Sequence, residues 1–272
     1  MRGMTQRMPV IFIGHGSPMA AIEDNACSQA WRALAAGLPR PRAILSLSAH
    51  WVTRGTGVTA MERPRTIHDF GQGFPRALFE AQYPAPGDPA LAERVAALLA
   101  PAPVALDTGQ WGLDHGTWSV LIHAYPEADI PVVQLSLDAG APPEARFEVG
   151  RRLASLRDEG VLIIGTGNIV HNLRTMNWSD PAAAPFDWAV RFNDAVRTAI
   201  LQDQPERVLA FAEMGQDAVL SAPTPEHLWP LFYILGARAP GEGVRLFNDR
   251  LESGSISMTS VVIGEERTAL AA

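Results

Sequence analysis

Imidazoles dominate the reactive side chains of this sequence, and five of its seven histidines stand where a site could form. His15 lies in "GHGSPM", His50 in "SAHW", His115 in "GLDHGTW", His171 in "GTGNIVHN" and His227 in "PTPEHLWPL". Imidazole is the commonest metal-binding side chain and titrates near neutral pH, so such a set points to a bound cation or to proton transfer. A lone histidine at a strand end is more often a hydrogen-bonded structural residue, and only joint placement carries weight. His123, mid-helix in "WSVLIHAY", reads as structural, and so does His68 in the loop "RTIHDFGQGF", although that loop could fold over a site. Other chemistries lack their residues. "GHGSP" does not have the G-x-S-x-G order of a nucleophile elbow. "GTGNIVHN" has neither the lysine ending of a phosphate loop nor the dinucleotide fingerprint, and there is no H-E-x-x-H. The single cysteine, Cys27, excludes an intramolecular disulfide and a thiolate cluster. It sits in a predicted helix with no basic neighbour and reads as a packed thiol. Any metal must therefore use nitrogen and oxygen ligands, and a cytoplasmic location is expected.

The elements that must position these residues alternate. Apolar, β-branched runs predict strands over Val10–Ile13, Ala43–Leu47, Val132–Leu137, Val161–Ile164 and Ser257–Ile263, with weaker ones over Val58–Met61 and Val104–Asp107. Helical patterns cover Asn25–Gly37, Pro89–Leu99, Gly116–Ala124, Pro143–Glu159, Pro185–Gln202 and Glu226–Leu235. Asp88-Pro89, Pro142-Pro143 and Thr224-Pro225-Glu226 suit helix starts. The expectation is an α/β fold: a single domain over 1–272, with a central, mostly parallel or mixed sheet covered by helices on both faces. Residues 1–8 and 265–272 are expected to be flexible ends. Ligands of open α/β sheets sit beyond the carboxyl ends of the strands. His15, His50 and His171 each leave a predicted strand at that edge, while His115 and His227 stand at or near helix starts. The glycines flanking His15 let the chain turn sharply and let something approach closely, whether another piece of chain or a ligand.

Composition narrows the partners. Apolar residues make up 47% and charged residues 19% of 272, the balance of a globular protein with a sizeable core. Net charge is 22 − 29 = −7, with scattered arginines and no basic run, which argues against nucleic acid and anionic membranes. No apolar run approaches the roughly 20 residues of a membrane span. No heptad marks an oligomer.

Taken in order, "GHGSPM", "SAHW", "GLDHGTW", "GTGNIVHNL" and "PTPEHLWPL" resemble the signature segments of class III extradiol ring-cleavage dioxygenases, and most closely those of the 4,5-DOPA dioxygenase branch. The resemblance spans residues near 10 to 262. It implies a mononuclear non-haem iron held by His15, His50 and His227, the last where related enzymes often place a glutamate. It further implies His171 as the base that takes a proton from the substrate, in this branch with a possible approach to the metal as well, and His115 as a second acid/base group. The implied partners are a small aromatic diol and O2. Iron(II) with three protein ligands keeps open positions for both reactants. Three neutral imidazoles also suit Zn(II), so zinc is an expected occupant of purified protein. Glu226 adjoins His227, but neighbours on a helix point about 100° apart, so both are not expected to face one ion. Asp114 is expected either to stabilise a His115 cation or to cap a helix. Trp51, Trp118 and Trp229 could line a flat pocket, and Arg174 or the arginines of "MERPRTIHDF" could bind a carboxylate. Two other readings use the same cleft: a zinc hydrolase that activates water, and a non-catalytic metal-binding relative.

Overall fold

The computed structural model describes residues 7–265. Among them the apolar runs form the strands β1 (Val10–Gly14), β2 (Ala43–Thr53), β3 (Thr56–Thr59), β4 (Val104–Asp107), β5 (Val132–Asp138), β6 (Val161–Gly167), β7 (Val244–Phe247), β8 (Leu251–Glu252), β9 (Ile256–Ser257) and β10 (Ser260–Ile263). The helices are α1 (Ala26–Gly37), α2 (Arg76–Glu80), α3 (Pro89–Leu99), α4 (His115–Ala124), α5 (Pro143–Leu153), α6 (Asp187–Leu201), α7 (Pro205–Leu209), α8 (Gln216–Ser221) and α9 (Trp229–Gly236). Eight strands make one sheet in the order β4-β3-β5-β2-β6-β1-β10-β7, and β8 pairs with β9 beside it. The middle four, β5, β2, β6 and β1, run parallel. Antiparallel pairing of β3 with β5, β10 with β1 and β7 with β10 makes the sheet mixed.

Side chains alternate across a pleated sheet, and the two cores follow that period of two. Val10, Phe12, Leu45, Leu47, Val161 and Ile163 enter one core, with residues of α3, α5, α6 and α9. Ile11, Ile13, Ile44, Leu162 and Ile164 enter the other, with Trp31 of α1 and Trp118 of α4. Each fully buried Leu or Ile contributes on the order of 1.5–3 kcal/mol of transfer free energy. Helices on both faces of a mixed α/β sheet are what the alternation of elements predicts. Among the described residues no helix is long and apolar enough to cross a membrane.

Three departures from the predicted elements bear on the site. The second strand continues past Leu47 to Thr53, so His50 lies within it rather than beyond its end. Its pairing with β5 breaks between Leu47 and Val52, and its pairing with β6 ends at Ser48, so His50 occupies an irregular stretch freed from the ladder. The expected helix over 226–235 splits into a 3-10 turn, Pro225–His227, and α9. Pro230 is the reason: in a continuous helix its ring would meet the carbonyl of Glu226 and it could donate no hydrogen bond, whereas the first turn of α9 tolerates it. The expected strand over 257–263 is likewise interrupted, leaving β9 and β10. The short elements α2, α7, α8, β7 and β8 had no sequence signal long enough to read.

At the chain ends, Met8 is buried and its N–H donates to the Arg157 carbonyl at 3.1 Å. Arg7 pairs with Asp158 at 2.7 Å and Glu265 with Arg245 at 2.7 Å. The rest of the segments expected to be flexible, residues 1–6 and 266–272, lies outside the described residues. Cys27 is packed as expected, although Arg250 does reach its sulfur, Nη2 to Sγ at 2.8 Å. Burial pushes its thiol up to about 12, so it is no nucleophile.

Candidate metal centre

Strand β1 ends at Gly14, and the His15 N–H donates to the Gly167 carbonyl at the end of β6 at 3.1 Å. Gly16 follows with φ +65, the left-handed region that costs any residue with a Cβ. A Cβ there would also lie 2.6 Å from Met258 Sδ, and one on Gly14 would lie 2.6 Å from the Met258 carbonyl carbon. What approaches the glycines is another piece of chain, and it turns the His15 ring into the sheet edge. His15 is buried, with Nε2 3.1 Å from Nε2 of His50.

His227 reaches the same point from the 3-10 turn. Its carbonyl accepts from Asn168 N–H at 2.8 Å, and a Cβ on Gly167 would collide with that carbonyl oxygen. Bare backbone at the end of β6 thus admits the turn. One imidazole nitrogen from each of His15, His50 and His227 lies within 4.8 Å of the other two.

The other two expected histidines flank this trio. His171, held through its N–H to the Ser221 carbonyl at 2.8 Å, stacks its ring on His227 at 3.5 Å between centroids and 9° between planes. His115 opens α4, with its ring 3.9 Å from that of His50. All five histidines singled out in the sequence therefore meet at one edge of the sheet. His68 and His123 do not join them: their Nε2 atoms lie 2.9 Å from the Ala81 carbonyl oxygen and 2.7 Å from that of Ala20.

Two carboxylates back the cluster, and sequence reasoning missed the first. Asp69 Oδ2 lies 3.0 Å from His115 Nδ1 and 3.4 Å from His50 Nδ1, and Oδ1 accepts from the His115 backbone N–H at 2.8 Å. The signal was the "HDF" of the 66–70 loop, where only the histidine was weighed. Glu226 Oε1 lies 3.3 Å from His227 Nδ1 and accepts from Thr224 Oγ1 at 2.8 Å. The two neighbours touch although the 3-10 turn of residues 225–227 sets successive side chains about 120° apart. Such outer partners fix which nitrogen of a ligand histidine carries its proton.

The remaining candidates are spent on structure. Asp114 is the N-cap of α4, accepting from Thr117 N–H at 3.2 Å, and also bonds the Gln134 side chain. Burial, followed by the nearby Asp69 charge, pushes it up to about 6. The carboxylate beside the His115 ring is Asp69. Trp51 stacks on Trp111 at 5.7 Å, Trp118 Nε1 donates to the Ile67 carbonyl at 2.8 Å, and Trp229 lies under the Arg146 guanidinium at 3.8 Å. These contacts account for all three tryptophans as packing. Arg174 is exposed, and Arg65 donates to the Gln110 carbonyl at 2.7 Å.

Electrostatics favour the neutral form of His15, His50, His171 and His227. Burial first, and then the neighbouring histidines, hold His15 and His227 well below the ordinary 6.5. Burial lowers His50 to about 3 and His171 to about 4. Asp69 sits below the usual carboxylate range; burial opposes its charge, but His115 and His50 outweigh it. Buried neutral imidazoles that turn nitrogens toward one another, as Nε2 of His15 and Nε2 of His50 do at 3.1 Å, are costly unless something accepts the lone pairs. A divalent cation does so, and an all-nitrogen set fits Fe(II) or Zn(II).

Residues 9–263 match the family described as the catalytic LigB subunit of aromatic ring-opening dioxygenase. A protein of Escherichia coli K12 named 4,5-DOPA dioxygenase extradiol is 53% identical over 260 residues, 95% of each chain. One of Beta vulgaris bearing the same name is 38% identical over 256 residues, 92% of this chain and 94% of that one. A crystal structure of an uncharacterized protein from Escherichia coli K12 superposes with a TM-score of 0.83 at 48% identity, covering 95% of this chain and 100% of that one.

Proposed function

The chain belongs to the family of the catalytic LigB subunit of aromatic ring-opening dioxygenases, and from that premise we propose that it opens a catechol with O2 on the extradiol side using iron(II) held by His15, His50 and His227. It is an extradiol ring-cleavage dioxygenase; the metal, the substrate and the roles of the residues are our reading. One observation carries that reading, the convergence of one nitrogen from each of three imidazoles within 4.8 Å at one edge of the sheet. Relatives named for 4,5-DOPA make dihydroxyphenylalanine the first catechol to try. Iron(II) at this point supplies a spin-permitted route between the ring and triplet oxygen.

The chain's own residues do the rest. His171, lowered to about 4, is neutral at pH 7 and can accept the proton of a catechol hydroxyl. Its stack on His227 keeps it beside the ion without requiring it to be a ligand. His115, with Asp69 at 3.0 Å from Nδ1, is placed to hold a positive charge and to return a proton as the ring opens. Because the ligands are three neutral imidazoles, the site is one unit more positive than with a carboxylate ligand, which favours an anionic catecholate. We read residues 1–272 as one catalytic domain acting in the cytoplasm.

Protein loaded with Fe(II) under nitrogen, given a panel of catechols including dihydroxyphenylalanine and then aerated, is expected to consume oxygen and form a coloured ring-opened product. Zinc-loaded protein is expected to bind the catechol without turnover. Silence with iron across the panel, or oxygen-independent ester cleavage with zinc, would sink the reading.

A further inference from the structure

Asp69 serves two rings through one oxygen. Oδ2 lies between Nδ1 of His50, at 3.4 Å, and Nδ1 of His115, at 3.0 Å, while Oδ1 takes the His115 backbone N–H at 2.8 Å. The strap that carries it is fastened to the chain leading into α4. Ile67 N–H donates to the Leu113 carbonyl at 2.7 Å, Leu113 N–H to the Arg65 carbonyl at 2.8 Å, and Trp118 Nε1 to the Ile67 carbonyl at 2.8 Å. Phe70, the next residue, sets its ring edge-on to His115 at 5.6 Å. The carboxylate is therefore rigidly placed, half-buried at 15% side-chain exposure, against two groups that would otherwise choose their own protonation pattern.

We propose that Asp69 is a positioning residue that fixes both His50 and His115 with the proton on Nδ1, so that Nε2 of His50 is presented bare to the metal and Nε2 of His115 is left for proton transfer. The argument is one of donors and acceptors, and it rests on the metal-centre reading above. A carboxylate can only accept, so an Nδ1 set 3.0 or 3.4 Å from its oxygen is favoured there with hydrogen on it, by electrostatic attraction rather than by a well-aimed hydrogen bond. In a neutral ring the other nitrogen is then a lone pair, and for His50 that nitrogen is the one 3.1 Å from His15. Sharing one oxygen couples a ligand to a proton carrier: loosening Asp69 disturbs both.

The isosteric amide separates this role from plain packing. In Asp69→Asn the NH2 group must face either the two Nδ1 atoms or the His115 backbone N–H, setting a donor against a donor in both cases. In Asp69→Ala water can accept instead. Metal-free wild type and both variants are titrated with Zn(II) against a chromophoric chelator, with thermal unfolding as the control for folding. Asp69→Asn is expected to bind zinc about 10- to 100-fold more weakly than wild type, and at least as weakly as Asp69→Ala. A merely structural aspartate gives the opposite order, with Asn the milder change, and that order overturns the proposal. Nitrogen-15 spectra of the metal-free wild type, which need neither metal nor turnover, are expected to show His50 and His115 as Nδ1–H tautomers; Nε2–H at His50 overturns the proposal independently. Wild type that binds no zinc but shows Nδ1–H at both rings leaves the tautomer assignment standing and defeats the functional reading instead.

Discussion

A histidine can give a metal only one nitrogen at a time, so the contact made by its other nitrogen decides how well it serves. Here the outer nitrogens differ: His50 faces Asp69, His227 faces Glu226, and Nδ1 of His15 is buried without a partner. Removing a ligand ring should therefore differ in kind from removing the stacked base. His15→Ala and His50→Ala are expected to abolish stoichiometric metal binding, measured by elemental analysis after dialysis. His171→Ala is expected to keep the metal and lose turnover by about 10²- to 10⁴-fold, the usual worth of a positioned base; wild-type activity in that variant removes His171 from the mechanism. The five histidines were legible in the sequence because each sits in a short segment with its own glycine, proline or tryptophan signature. Asp69 was not, since no spacing ties position 69 to 50 or 115, and only the fastening of the 65–67 strap to residues 110–118 brings them together. For the three tryptophans the sequence leaves packing and pocket lining open, since adjacency to a functional residue in sequence says nothing about which face of the element a ring takes.

Elements position these residues by breaking their own regularity. His50 lies where the β2 ladder is interrupted, and His227 lies in a turn that Pro230 separates from α9. The turn can lie against the end of β6 only because Gly167 has no side chain. Gly167→Ala should push it outward, costing about 1–3 kcal/mol in urea unfolding and weakening metal binding, while leaving the remote helix α3 intact. A variant with unchanged zinc affinity would show that the turn can shift without moving His227. The parallel centre of the sheet was readable because strands buried on both faces are near-continuous apolar runs, as in "VLIIG". Edge elements were not: Val244–Phe247 alternates in a stretch too short to separate from loop, and the helices near residues 205 and 216 span one turn or little more. The misplaced ends of the second strand and of the 226–235 helix fall on a ladder irregularity and a proline, where tertiary contacts override local pattern.

For the molecule as a whole, the buried imidazoles tie stability to pH. His15 and His227 lie well below 6.5, His50 near 3 and His171 near 4, so the native metal-free protein refuses protons that the unfolded chain accepts. The unfolded state binds more protons as pH falls below 6.5, and stability falls with it until the native values are reached. The slope is at most about 1.4 kcal/mol per pH unit for each histidine. Denaturant unfolding of metal-free protein at about pH 7.5 and about pH 5.5 should show a marked loss at the lower value, with little further change towards alkaline pH. Equal midpoints would mean that the histidines are hydrated enough to titrate normally. Order of synthesis adds a last constraint. Strand β1 is flanked on one side by β10, and Met258 backs the turn that aims His15. The candidate ligand His15 thus waits on a segment some 240 residues further along the chain, so a nascent chain cannot assemble the proposed centre piecemeal. That side of the centre closes only once Met258 and β10 have emerged.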